Sequence, residues 1–216
     1  MHRTFSAKPI ASALALVLFP LAASSSAIYG GAGSTGGEVG VAQAVGSSFA
    51  VRFEGNALSY RSHFTTNGVD YNARLKAGNA AAYVDGFVIG SVRITGGALM
   101  GSRKFHGTAS TVGGSVVVNG VRYPVSPGDG LDFDAKFPTV TPYLGVGYGH
   151  RAGPGLQVYA DAGVAYGRPK VTLSPTASLA AKVSPTDLLA EQRSVQDKAD
   201  HYRAYPVLKI GLGYAF

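Results

Sequence analysis

The stretch that decides the fold is the end of the chain, Lys209-Ile210-Gly211-Leu212-Gly213-Tyr214-Ala215-Phe216. Side chains alternate between the two faces of a β-strand, so every second residue from Leu208 to Phe216 lies on one face, and all of these are hydrophobic. The opposite face holds Lys209 with small glycines and alanine. A soluble sheet would expose long polar side chains there. A soluble edge strand that ends in Phe by chance is the alternative. The pattern favours a barrel strand whose hydrophobic face forms the exterior and whose small residues face a narrow, crowded interior.

Other strands of this kind, joined alternately by short and long connections, are the sequence signature of a transmembrane barrel. We predict eight strands, at 28–34, 38–44, 49–61, 71–84, 91–105, 140–149, 156–166 and the C-terminal stretch. An even count places both termini on the side of the short turns, and eight strands enclose a space that side chains can fill. The first hairpin is the weakest part of this prediction because its glycines could equally form a loop.

The long connections carry some structure of their own. Residues 106–136 contain a hairpin signal at 116–123, and Asn67-Gly68 is the turn of a break at 63–70. In the last connection, 168–203, Ser184-Pro185-Thr186-Asp187 predicts the start of a short amphipathic helix. Packing of this helix against the barrel rim is favoured over binding a partner. The predicted fold class is all-β: an eight-stranded antiparallel transmembrane β-barrel with a short helix in the last long loop.

The chain start reads as an export signal. Residues 1–27 carry Arg3 and Lys8, then an apolar run too short for a membrane-spanning helix, then small residues suited to cleavage. We therefore predict a cleavable signal peptide at 1–27 and a barrel domain at 28–216. Cysteine is absent and only 14% of residues are charged, with a net charge of +7. The bases are dispersed and form no nucleic-acid motif, so no nucleic acid is expected as a partner.

The side chains predicted to face into the barrel include a set of charged residues, and we expect these to line the lumen. These are Glu38, Arg52, Glu54, Arg74, Lys76, Arg93, Arg103, Asp161 and Lys209. One hypothesis is a salt-bridge network that closes the barrel, because buried ions must be paired or hydrated. The other is a constricted basic lumen that favours anionic or zwitterionic solutes over cations. On the outward parity, Tyr83, Tyr148, Tyr166 and Tyr214 are predicted to form an interfacial aromatic belt.

Catalytic and metal sites find little support in the sequence. His63, His106, His150 and His201 are the histidines of the predicted mature chain, and three of them lie near predicted loops with serines and acids nearby. No histidine and serine share a strand in a pattern that would assemble a triad. A lipid-modifying enzyme is therefore a remote alternative. We expect no catalytic residues, no bound metal and no cofactor.

Two resemblances sharpen the prediction. Lys209, Gly211, Tyr214 and Phe216 resemble the C-terminal assembly signal of bacterial outer-membrane barrels, which implies recognition by the barrel assembly machinery. From Ile28 to Phe216 the chain resembles small Gram-negative outer-membrane barrels of the OmpW and CarO type. This second resemblance is carried by the motifs at 68–71, 118–124, 141–147 and 169–174.

These resemblances imply Sec-type export to a Gram-negative outer membrane, with lipid and lipopolysaccharide as partners. Channel activity for small solutes is proposed for the CarO type. This resemblance and the basic lumen predicted from the inward charges together lead us to expect a narrow passive channel for anionic or zwitterionic solutes. The alternative is a closed structural or adhesion barrel that acts through its extracellular loops.

Overall fold

The computed structural model describes residues 25–66, 69–111, 113–150 and 153–216. Most of the predicted signal peptide lies outside the described residues, as does the Asn67-Gly68 turn. The described part opens directly in a strand, because Ser26 and Ala27 already pair with Gln43 and Ala42. The strands are β1 (Ser26–Gly33), β2 (Gly36–Val45), β3 (Phe49–Thr66), β4 (Val69–Ile89), β5 (Val92–Thr111), β6 (Gly114–Val118), β7 (Val121–Val125), β8 (Gly130–Lys136), β9 (Val140–Tyr148), β10 (Gly155–Tyr166), β11 (Lys170–Pro175) and β12 (Ala204–Ala215), and the helices are α1 (Ala177–Ala180) and α2 (Pro185–Ala199).

Eight of the strands close into an antiparallel ring, as predicted. The order is β1, β2, β3, β4, β5, β9, β10 and β12, and β12 pairs back to β1 in the register Ile28 to Tyr214. The uncertain first hairpin therefore forms two barrel strands. Both ends of the described chain meet on the side of the short turns, where the Ser26 amide donates to the Phe216 carbonyl at 3.1 Å. Closure leaves no exposed edge in this ring.

Strands β3, β4 and β5 extend furthest beyond their predicted bounds. The expected break at 63–70 is instead paired strand up to Thr66 and from Val69, because polar and aromatic side chains match across it. Phe64 stacks on Tyr71 with ring centroids 5.0 Å apart. The lower half of β5 pairs with β9, whereas its upper half, from Lys104 to Ser110, pairs with β8, which in turn pairs with β11. The barrel wall thus continues upward on one side.

The two faces of the wall follow the predicted alternation in the decisive last strand. Leu208, Ile210, Leu212 and Tyr214 are exposed on the outside, whereas Val207 and Lys209 are buried inside. The same outward face carries Val, Ile, Leu and Phe on the neighbouring strands. This arrangement gives a hydrophobic outer band, as a barrel in a lipid bilayer requires. In the described ranges no helix is long and apolar enough to cross a membrane.

The long connections pack on one another above the ring. We call the hairpin β6–β7 together with α1 and α2 the head. It has a hydrophobic cluster of its own, formed by Val118, Val125, Leu179 and Val183, with Leu188 packed against it. The helix predicted after Ser184 is α2, with Ser184 as its N-cap and Pro185 at its first position. Asp187 does not cap the helix. It accepts hydrogen bonds from the Tyr123 hydroxyl and, at 2.9 Å, from the side-chain amide of Asn119.

Candidate functional site

Four charged side chains form a closed ring of ion pairs inside the barrel. Arg52 on β3 contacts Asp85 on β4 at 2.6 Å and Asp161 on β10 at 3.3 Å. Arg93 on β5 contacts the same two carboxylates, Asp161 at 2.6 Å and Asp85 at 3.3 Å. Each carboxylate therefore lies between two guanidinium groups. Both arginine side chains are at most 1% exposed, so the ring is removed from solvent.

Further hydrogen bonds fix this ring in the barrel wall. The Thr95 hydroxyl donates to Asp85 at 2.6 Å, and the Arg93 guanidinium donates to the Gly149 carbonyl at 2.8 Å. Arg52 also lies over the Tyr83 ring, 4.9 Å from its centroid. Buried charges are stable only when their remaining donors and acceptors are satisfied. The ring largely meets this condition, and it links three consecutive strands, β3, β4 and β5, to the distant strand β10.

A second cluster centres on Lys209 of β12. Its ammonium contacts Glu54 directly and Glu38 at 3.2 Å. Tyrosine hydroxyls also donate hydrogen bonds to the two carboxylates. Tyr159 donates to Glu38 at 2.6 Å, and Tyr29 donates to Glu54 at 3.2 Å. The cluster therefore combines two carboxylates with one ammonium.

Arg103 stands apart from both clusters. Its guanidinium donates to the Thr141 hydroxyl and lies over the Phe137 ring, 5.6 Å from the centroid. Among the described residues no carboxylate contacts it, and its Nε and one terminal nitrogen have no hydrogen-bond partner.

The sequence-based charge assignment is corrected in three places. Arg74 and Lys76 were predicted to face the lumen, but both are exposed on the outer face of β4. Tyr83, predicted for the outer belt, is buried inside. Asp85 was missed because residues 85–90 were read as a turn, whereas β4 continues to Ile89 and carries Asp85 on the same face as Tyr83. The misjudged parity of β4 accounts for the first two differences, and the misplaced end of β4 accounts for the third.

These corrections change the electrostatics of the interior. Inside the barrel, the buried cations among the described residues are Arg52, Arg93, Arg103 and Lys209, and the buried anions are Glu38, Glu54, Asp85 and Asp161. Four positive charges thus balance four negative ones. The predicted excess of positive charge in the lumen is therefore wrong. A lumen with balanced charges gives no electrostatic reason to prefer anionic solutes.

Large aromatic side chains fill the remaining interior space. Tyr83 and Tyr143 meet edge to face above the ring of ion pairs, with centroids 5.1 Å apart. Tyr29 and Tyr159 form a similar pair at 5.3 Å, and the His150 ring lies 4.4 Å from each of them. Glycines on the facing strands make room for these rings. A Cβ on Gly97, for example, would lie 2.7 Å from the Tyr83 ring.

The residues of the predicted assembly signal divide between the two faces. Lys209 and Gly211 point inward, where Lys209 holds the carboxylates and Gly211 lies beside the Tyr159 ring. Tyr214 and Phe216 are more than half exposed on the outer surface. Of the predicted belt, Tyr148 and Tyr166 also face outward. Recognition of this strand by an assembly machinery stays a prediction.

The four histidines are placed separately. His63 bonds the Asn72 side chain at 2.8 Å, His106 lies 3.1 Å from Asp134, and His201 bonds the Asp197 carbonyl at 2.8 Å. His150 lies between tyrosines. In the part of the chain that the structure describes, no hydroxyl bonds a histidine ring, and no group of three or more His, Cys, Asp or Glu could hold a metal ion.

In the head and at its base, three carboxylates have lowered pKa values. Asp129 accepts hydrogen bonds from Lys182, at 2.6 Å, and from Ser178, which lower its pKa to about 2. Hydrogen bonds from Tyr123 and Asn119 lower the pKa of Asp187. The Arg168 guanidinium lowers the pKa of Asp200. These contacts stabilise the charged forms and tie the two long connections together.

Comparison with known proteins identifies solved structures that share this fold. No protein-family model matches the chain, and no curated protein sequence matches it. Two solved structures of Acinetobacter baumannii proteins are similar. CarO is 18% identical with a TM-score of 0.62 over 88% of this chain and 97% of its own, and CarO2 is 19% identical with a TM-score of 0.65 over 89% and 98%. The predicted outer-membrane barrel fold is confirmed by this likeness.

Proposed function

We propose that this chain is a closed outer-membrane β-barrel that anchors the head at the cell surface and acts through it. The observation that carries the proposal is the ring formed by Arg52, Asp85, Arg93 and Asp161, which crosses the interior from β3 to β10. A solute on the barrel axis would have to separate these pairs. Breaking a buried ion pair costs about 3–5 kcal/mol, so spontaneous opening would be rare.

The structured head supports the second half of this proposal. Its two connections share a hydrophobic cluster and are joined by hydrogen bonds. One of these runs from the backbone N–H of Asn119 to the Glu191 carboxylate, at 2.8 Å. At its base, the Val171 amide donates to the Gln196 side chain at 2.8 Å, which fixes α2 against β11. Loops that only joined strands would not need such packing. The proposal gives the chain no catalytic role.

A narrow channel remains the second candidate, because the interior is lined by charged and tyrosine side chains and not by an aliphatic core. With balanced charges, we expect such a channel to discriminate little between anions and cations. CarO and CarO2 share the fold at low identity, which supports a membrane barrel equally in both cases.

Single-channel recording of the refolded chain in planar bilayers tests the two candidates. The closed barrel predicts no discrete openings for the wild type. It predicts openings for Arg93→Ala, because the ring then loses one of the two cations that bridge Asp85 and Asp161. Lys76→Ala, which changes an exposed cation, is the matched control and should stay silent. Regular openings of the wild type would overturn the closed barrel and support the channel.

A further inference from the structure

Four lysines lie side by side on the outer surface of the barrel wall. The strand registers pair Lys76 on β4 with Lys104 on β5, Lys104 with Lys136 on β8, and Lys136 with Lys170 on β11. All four side chains are exposed and share the outward face. We call this row the lysine ladder. It exists only because the upper half of β5 leaves β9 and pairs with β8.

The protein itself gives the lysine ladder no partners. Directly opposite side chains have Cβ atoms about 5 Å apart, and like charges in this arrangement destabilise a sheet. None of the four ammonium groups has an ion-pair partner among the residues that the structure describes. The nearest acids on this face are Asp132 and Asp134 on β8, and Asp134 already contacts His106 at 3.1 Å. Three repulsive contacts in succession point to a counterion from outside the chain.

The height of the lysine ladder on the wall identifies that counterion. On β5 the outward residues from Val92 to Met100 belong to the apolar band, and Lys104 follows twelve residues after Val92. A tilted strand of about 9–11 residues crosses the hydrocarbon core. Lys104 and its neighbours therefore lie just beyond the core, on the side of the long connections. This is the level of lipid headgroups, where the available anions are phosphates.

A depression next to the lysine ladder adds to the same surface. It has a volume of about 520 Å³, and its lining includes Arg61, Arg74 and His106 one row above the lysines. Arg61 and Arg74 are also directly opposite each other, which adds another repulsive pair. Phosphate is a strong acceptor for both ammonium and guanidinium donors. The depression provides room for the sugar that carries such phosphates.

We propose that the lysine ladder, together with Arg61 and Arg74, binds the phosphate groups of a phosphorylated glycolipid in the outer leaflet. The charges at this surface complement the ligand, and the adjoining apolar band contacts its acyl chains. The site does not depend on whether the barrel conducts. It also accounts for the exposure of Arg74 and Lys76 on the lipid-facing side of the wall.

Native mass spectrometry of the refolded chain in phosphatidylcholine nanodiscs tests this site. The discs contain either diphosphorylated lipid A or lipid A without phosphates, and the lipid retained after release is counted. The wild type should retain the phosphorylated form in preference. Lys104→Gln/Lys136→Gln should retain roughly thirty-fold less of it, given about 1 kcal/mol for each lysine near an anionic surface. The control Arg193→Gln/Lys198→Gln, on exposed positions of α2, should behave as the wild type.

Three results would overturn the proposal: equal retention of both lipids, an equal loss in the control, or complete displacement of the lipid by inorganic phosphate at millimolar concentration. Thermal unfolding separates binding from a structural role. In detergent without lipid A, Lys104→Gln/Lys136→Gln should be at least as stable as the wild type, because a repulsion has been removed. With lipid A present the order should reverse. A loss of stability that is the same in both media would make the lysines structural and contradict the proposal.

Discussion

Arg93 of β5 and Asp161 of β10 lie 68 residues apart in sequence and form an ion pair of 2.6 Å in the interior. The pair spans the gap across β9, which separates their strands in the ring. On β9 the position between them is Gly147, where a Cβ would lie 2.8 Å from the Arg93 guanidinium. The absence of a side chain at this position allows the two charges to meet.

The first prediction concerns this pair. Asp161→Asn keeps the size of the side chain but leaves Arg52 and Arg93 with only Asp85. Because an uncompensated buried charge is costly, we expect a loss of about 3–5 kcal/mol in unfolding free energy. Urea unfolding of the chain in lipid vesicles measures it. Asp197→Asn on the exposed side of α2 is the control, and an equal shift for both variants would show that the ring does not stabilise the barrel.

The second prediction concerns two adjacent glycines on β5. Gly97 faces inward, where a Cβ would collide with the Ala82 carbonyl oxygen of β4 and lie 2.7 Å from the Tyr83 ring, whereas Gly96 faces open space. Gly97→Ala should destabilise the barrel by about 1–3 kcal/mol through overpacking. Gly96→Ala should be neutral or stabilising by up to about 1 kcal/mol, since alanine has less freedom than glycine in the unfolded chain. Similar urea midpoints for the two variants would contradict this account of the interior packing.

The third prediction is a pH dependence of the head. The pKa of Asp129 is lowered to about 2 by Lys182 and Ser178. A carboxylate with a lowered pKa stabilises the folded form above its ordinary pKa near 4 and loses that contribution as the pH falls towards 2. Hydrogen exchange of residues 113–128 should therefore be faster in Asp129→Asn than in the wild type at pH 5. The difference should shrink as the pH falls through 2 and vanish below it. A difference that persists well below pH 2 would show that Asp129 acts through its shape and not its charge.

The sequence predicted the ring of strands because the outward face of each strand is hydrophobic at every second position. This alternation survives even in the short strands of the first hairpin, where Ile28 and Val39 face outward. The alternation misled the prediction in β4. The hydrophobic Leu75 and Tyr83 were taken as the outward face, which placed Arg74 and Lys76 on the inward face. Above the bilayer the outer face of β4 meets water, so its outward residues, such as Arg74 and Lys76, are polar. Its inward residues there, such as Ala73 and Leu75, are apolar, so the alternation is reversed.

The contacts between distant strands could not be predicted in the same way. Strand alternation identified Arg52 and Asp161 as inward residues, but their meeting depends on the shear of the closed ring and on the register of each pair of strands. The lysine ladder is a clearer case still. Its members are spread from position 76 to position 170, and they align only because β8 and β11 extend the wall beside β5.

The last prediction tests the C-terminal assembly signal. The Phe216 side chain is exposed on the outer surface, and its backbone bonds Ser26 in both directions, at 2.9 and 3.1 Å. Phe216→Ala keeps those backbone bonds, so the refolded barrel should unfold at nearly the same urea concentration as the wild type. In cells the variant should accumulate far less as folded barrel, because the aromatic residue is what an assembly machinery would read. Phe49→Ala, at an exposed outward position at the same end of the barrel, loses an equal apolar contact and should assemble normally. If the two variants assemble equally well, Phe216 serves only as another lipid-facing residue.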